Sequence, residues 1–130
     1  MKVSLYKAFG AGNAQPVFEA FETGLINSGD KIAVNSDDAD AVVIWSMLFA
    51  GRMSGNENVY NHYKSQGKPV IVLEVGGIKR GTTWKVGLNG INRDAYFGDM
   101  GNSNDRATLL NLEVKPWRTD GEYILIAGQH

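Results

Sequence analysis

The sequence predicts a three-layer α/β domain built on a mostly parallel sheet of about five strands. Two continuous apolar runs, Ala41-Val42-Val43-Ile44-Trp45 and Val70-Ile71-Val72-Leu73-Glu74-Val75, read as strands covered on both faces, as a parallel sheet requires. Between them, Glu57 to Gln66 carries Val59, Tyr60 and Tyr63 along one side, so strand, helix and buried strand form a βαβ unit. The N-terminal third repeats the alternation of strand, glycine-containing loop and amphipathic helix.

In chain order, Val3 to Ala8 is short, apolar and partly β-branched, and reads as the first strand. Phe9-Gly10-Ala11-Gly12-Asn13-Ala14-Gln15 breaks it as a loop, and Pro16 suits the first turn of the helix that follows. Val17, Phe18, Phe21, Leu25 and Ile26 recur at three- and four-residue spacing, and Ser28-Gly29-Asp30 ends the helix with a left-handed glycine cap. Lys31 to Asn35 reads as a short second strand. Ser36-Asp37-Asp38-Ala39-Asp40 is too short for a crossover helix, so that strand is either an edge strand reached by an extended link or locally antiparallel. Ser46 to Asn56 is a loop, and Gly67 caps the second helix before Lys68-Pro69 opens the buried strand at Val70. Gly76 to Gly101 is rich in glycine, asparagine and basic residues and reads as loop. Asp105 to Asn111 reads as a short helix and Glu122 to Ala127 as a last strand. A buried-type strand so near residue 130 invites a following element, and the sequence is expected to be the N-terminal part of a longer protein.

The chain has 130 residues, enough for one core, and a formal net charge of -1, which gives no global field toward nucleic acid or an anionic membrane. It has no cysteine, which excludes disulfides, thiolate metal sites and cysteine nucleophiles. His62 and His130 are too few and too far apart for a histidine metal site, so no metal is expected. No signal peptide or bilayer-spanning run is visible, and the cytoplasm is the expected compartment.

Two loops carry chemistry. Gly10, Gly12 and Asn13 follow a strand and precede a helix, the context in which free N–H groups hold an anion. Gln15 stands where a dinucleotide fingerprint has its third glycine, and no Walker-type lysine motif is present. Asp37 and Asp38 fall roughly where a ribose-binding acid would lie. After the fourth strand, Gly76 and Gly77 allow close backbone approach, Lys79 and Arg80 can neutralise a diphosphate, Thr82 and Thr83 add hydroxyls, and Trp84 offers a stacking face. Trp45, Ser46 and Arg52 face the same rim, and Asn92 and Arg93 continue it. Glu74 and Asp94 are the rim carboxylates that could act as a base, although nothing pairs them. His62 is expected on the second helix, away from the rim.

Ala41 to Ser46, Gly67 to Glu74 and Gly76 to Asn92 together resemble a group of bacteriophage and marine-metagenome proteins. Those proteins are longer, with a second Rossmann-like half, a layout similar to the two-domain GT-B glycosyltransferases. The resemblance implies a Rossmann-like, flavodoxin-like domain serving as the acceptor half of a metal-independent glycosyltransferase. It implies a sugar nucleotide as substrate, held largely by a C-terminal domain beyond these residues, and no other cofactor. The small anionic partner would be a nucleotide, a sugar nucleotide or a phosphorylated acceptor. The alternative is a non-catalytic nucleotide- or phosphate-binding domain, or a protein-interaction domain in which Phe49, Tyr96 and Phe97 form an interface, for example in a homodimer.

Overall fold

The computed structural model describes residues 1–92, 94–96, 101, 105–124 and 126. They fall into two compact units, Met1–Phe97 and Gly98–His130.

The first unit holds a five-stranded sheet in the order β2-β1-β3-β4-β5. Its elements are β1 (Lys2–Leu5), α1 (Gln15–Asn27), β2 (Lys31–Val34), β3 (Ala41–Trp45), a single 3-10 turn (Gly51–Met53), α2 (Gly55–Ser65), β4 (Val70–Val75) and β5 (Trp84–Leu88). The first four strands are mutually parallel and β5 runs antiparallel to β4. The α/β class and the mostly parallel five-strand sheet are therefore as expected.

Period-two alternation divides the side chains between two cores. Val3, Leu5, Val43, Trp45 and Leu73 point to one face and are covered by Val17 and Phe18 of α1. Val42, Ile44, Val70 and Val72 point to the other and are covered by Val59, Tyr60 and Tyr63 of α2. The continuous apolar runs of β3 and β4 follow from this two-sided cover.

Strand β2 is the edge strand reached by an extended link, parallel to β1. Residues 35–40 return from the end of β2 to the start of β3 as a strap. Six extended residues reach about 20 Å, against about 13 Å for a four-residue strand, so no helix is needed. The strap is pinned throughout. Ser36 N–H donates to the fully buried Ser4 Oγ (3.0 Å), the Tyr63 hydroxyl donates to Ser36 O (2.7 Å), and Asp40 N–H donates to Lys2 O (2.8 Å).

Burial raises the Tyr63 phenol pKa above its ordinary value of 10.0, outweighing a lowering contribution from Ser4, and the charges of Asp37 and Asp38 add to the rise. Tyr6 is raised as well, by burial first and then by Asp37. A group whose folded pKa is raised contributes stability that is intact below its unfolded pKa and lost above it, because the unfolded chain gives up its proton first. Denaturant midpoints measured against pH should therefore hold up to about pH 10 and fall beyond it. Tyr63→Phe should flatten that fall, while costing about 1 kcal/mol at neutral pH for the lost strap bond.

Two sequence expectations are corrected. The first strand ends at Leu5 rather than Ala8, because the N–H groups of Lys7 and Ala8 turn away to the Asn35 Oδ1 (2.7 and 3.0 Å). The fifth strand is Trp84–Leu88, inside a stretch read as loop, and the described residues of Glu122 to Ala127 form no strand. Lys85 and Gly87 dilute its apolar signal, and the tight turn before it supplies the pairing instead. Gly76 N–H donates to Thr83 O (2.9 Å), and a Cβ at Gly76 would run into the Thr83 backbone. Gly76→Ala should therefore open the hairpin and cost about 1–3 kcal/mol, read as a lower denaturation midpoint.

In the second unit, α3 (Asp105–Leu109) occupies the expected short helix. Tyr123, Ile124 and Ile126 lie outside any strand and are exposed. An apolar run becomes a strand only where a neighbouring strand pairs with it.

Candidate functional site

The order β2-β1-β3 means that the chain steps to one side of β1 and then to the other, so its direction reverses between β1 and β3. In open α/β sheets ligands bind outside the carboxyl ends of the strands at such a reversal. There, after β1, the structure has a hollow of about 320 Å³ lined by Lys7, Gly10, Gly12, Gln15 and Glu19, among others, with Phe18 at its apolar side.

The loop is held from below. Asn35 Oδ1 takes the N–H groups of Lys7 and Ala8, Gly10 N–H donates to Lys7 O (3.1 Å), and Ala14 N–H donates to Ala11 O (2.9 Å). Among the described residues, the backbone N–H groups of Gly12, Asn13 and Gln15 meet no acceptor. Helix α1 begins at Gln15 without a side-chain cap, since its N-cap position is Ala14, and no acidic residue lies in its first turn. The positive end of the helix dipole is thus left without a charge from its own first turn. Lys7 pairs with Glu22 (2.8 Å), and Gln15 Nε2 donates to Glu19 Oε1 (2.9 Å).

The expected site residues separate into two groups. Gly12 and Asn13 are exposed, and Gly10 and Gly12 line the hollow. Trp45, expected on the rim, is instead sealed in the α1-side core, edge-on to Trp84 at 6.0 Å. Trp84 is half-buried against the same core. Ser46 is buried and adopts a positive φ of 65°. Its N–H donates to Leu73 O (2.8 Å) and its hydroxyl oxygen accepts from Leu48 N–H (3.0 Å). The buried Thr83 hydroxyl accepts from Lys79 N–H and donates to Lys79 O, and Thr82 bonds the same carbonyl (3.3 Å). These bonds build the hairpin turn and leave the Thr83 hydroxyl filled.

Gly77, Lys79 and Arg80 are exposed on that turn, and none lines the hollow after β1. Arg52 is exposed on the 3-10 turn. Exposed Asn92 lies 3.4 Å from the Lys85 Nζ, and Arg93 lies outside the described residues. Of the two carboxylates, Glu74 accepts its neighbour Val75 N–H (2.7 Å) and Asp94 is exposed. Asp37 lines a different groove, on the α2 side, together with His62. Phe49 is packed against Tyr60 (5.8 Å), Tyr96 is exposed, and Phe97 lies outside the described residues.

Sequence reading missed the asparagines that hold the rim. Asn56 is fully buried. Its Nδ2 donates to Trp45 O (2.6 Å) and lies 3.4 Å from Phe9 O, clamping the ends of β3 and the β1 loop together. Asn35 does the same between β2 and β1. Asparagine in a loop reads as a turn former, so only its position directly after a strand could have marked Asn35, and Asn56, in the first turn of α2, carries no such signal.

Among the described residues, no group of three or more His, Asp or Glu could hold a metal ion, and no helix is long and apolar enough to cross a membrane. In comparison with protein-family models, curated proteins and solved structures, the chain matches none.

Proposed function

We propose that this chain is a Rossmann-like, flavodoxin-like domain that binds the phosphate group of a small molecule on the loop after β1. The observation that carries the reading is the uncapped start of α1. It presents the unpaired N–H groups of Gly12, Asn13 and Gln15 beside a hollow at the reversal of strand order. A nucleotide, a sugar nucleotide and a phosphorylated acceptor share the anion this loop would hold. The resemblance to a glycosyltransferase half favours the last two. Catalysis is not part of the proposal, because Glu74 is turned onto its own strand and Lys79 and Arg80 lie off the hollow.

Isothermal titration of the full chain with inorganic phosphate, pyrophosphate, UDP and GDP tests the reading. We expect saturable binding that tightens from phosphate to pyrophosphate and weakens with added salt. Heat signals that fail to saturate for all four probes would remove the proposal.

A further inference from the structure

The strap that replaces a crossover helix leaves a second groove, on the opposite face of the sheet from α1. Tyr6, Phe9, Asp37, Asn58 and His62 line it, with buried Val59 also in its wall, and its volume is about 360 Å³. That size is within the range of small-molecule sites, about 300–1,000 Å³. It shares no lining residue with the hollow beside Gly12.

The lining is unusual in charge. No lysine or arginine contributes to it. The next acid along the strap is paired: Asp38 bonds Lys2 (3.1 Å). Asp37 has no cationic partner among the described residues. It stands near the Tyr6 phenol, whose pKa its charge helps to raise after burial. Its position is fixed from behind, because His62 Nε2 bonds the Asp37 carbonyl (3.1 Å) and ties the strap to α2. Beside the carboxylate, the rings of Tyr6 and Phe9 are stacked at 5.8 Å and 16°. Phe9 is held there because its ring lies on Gly55, where any Cβ would collide with it.

An unneutralised carboxylate next to aromatic rings, with no competing cation, is complementary to a positive group that carries hydrocarbon. The ring quadrupoles attract the cation, and the carboxylate supplies its counter-charge. We propose that this groove binds an organic monocation of the alkylammonium class, with its charge at Asp37 and its methyl or alkyl groups against Tyr6 and Phe9. A simple inorganic cation would leave the rings unused, and an anion would be repelled by Asp37.

Choline chloride is the probe, and its uncharged carbon isostere, a dimethylbutanol, is the control. Both are titrated into the ¹⁵N-labelled 130-residue chain at constant ionic strength. We expect saturable choline-induced shifts at the amides of Phe9, Asp37, Asn58 and His62, with the isostere binding roughly tenfold or more weakly. Asp37→Asn keeps the strap's backbone bonds and should weaken choline by a similar factor. Phe9→Leu, which keeps Asp37, should weaken it as well. Equal affinity for choline and its isostere, full affinity in Asp37→Asn, or choline shifts that lie elsewhere or never saturate would each overturn the proposal. Because phosphate is not a probe here, either proposal can fail without the other.

Discussion

Gly12→Asp should remove pyrophosphate binding while leaving the fold as stable as before. Gly12 is exposed, a Cβ there meets nothing within 4 Å, and its φ is not in the left-handed region, so an aspartate fits without strain. Surface changes of this kind usually alter stability by no more than about 0.5 kcal/mol. The new carboxylate would stand among the N–H groups of Gly12, Asn13 and Gln15, compete for them, and repel an incoming anion. Two unit charges about 4 Å apart interact by about 1–4 kcal/mol between bulk-water and protein-surface dielectrics, so affinity should fall roughly tenfold or more. Calorimetric titration reads the loss, and urea denaturation checks that the fold is intact. Unchanged affinity in a folded variant would place the anion elsewhere.

Trp45→Ala should come close to unfolding the first unit. Trp45 is only 2% exposed, sits on the central part of the sheet between β1-side and β4-side neighbours, and packs edge-on to Trp84. Truncating a buried tryptophan typically costs about 3–5 kcal/mol through lost burial and the cavity left behind. Small domains are stable by only about 5–15 kcal/mol, so the urea midpoint should drop by a large fraction of its value. Trp45→Phe, which keeps a ring in the α1-side core, should cost much less. If Trp45→Ala instead denatured like the wild type and lost ligand binding, the indole would belong to the site and not to the core.

The same residue shows where sequence reading ends. The run Ala41 to Trp45 was legible as a doubly covered strand because all five residues are apolar, and all five are buried. Its last residue was nevertheless assigned to a rim, because periodicity locates a strand's end but not which face the final side chain takes. Alternation places Trp45 with Val43 on the α1 side. Gly76 and Thr83 carried a similar ambiguity. A glycine that lets backbone approach a ligand and one that lets backbone approach its own hairpin have the same one-letter signature. The antiparallel β5 that decides between them was hidden by Lys85 and Gly87.

Elements whose signals were local were read well. Pro16 lies at the start of α1 and Gly29 takes a φ of 75° at its end. The extended strap after β2 was foreseen as one of two options, but its choice depended on Ser4 and Tyr63, which lie 32 and 27 residues from Ser36. Glu122 to Ala127 has strand-like composition, yet its described residues form no strand, since composition cannot supply a neighbouring edge. The glycine loop after β1 kept its expected place at a helix start, and the structure adds that Ala14 leaves that start uncapped.

Addition of inorganic pyrophosphate to the ¹⁵N-labelled chain, followed amide by amide, tests the β1-loop site most directly. The largest shifts should fall on Gly12, Asn13 and Gln15 and saturate together. Largest shifts on the β4–β5 turn at Lys79 and Arg80, or shifts that spread over the surface and grow without limit, would contradict it.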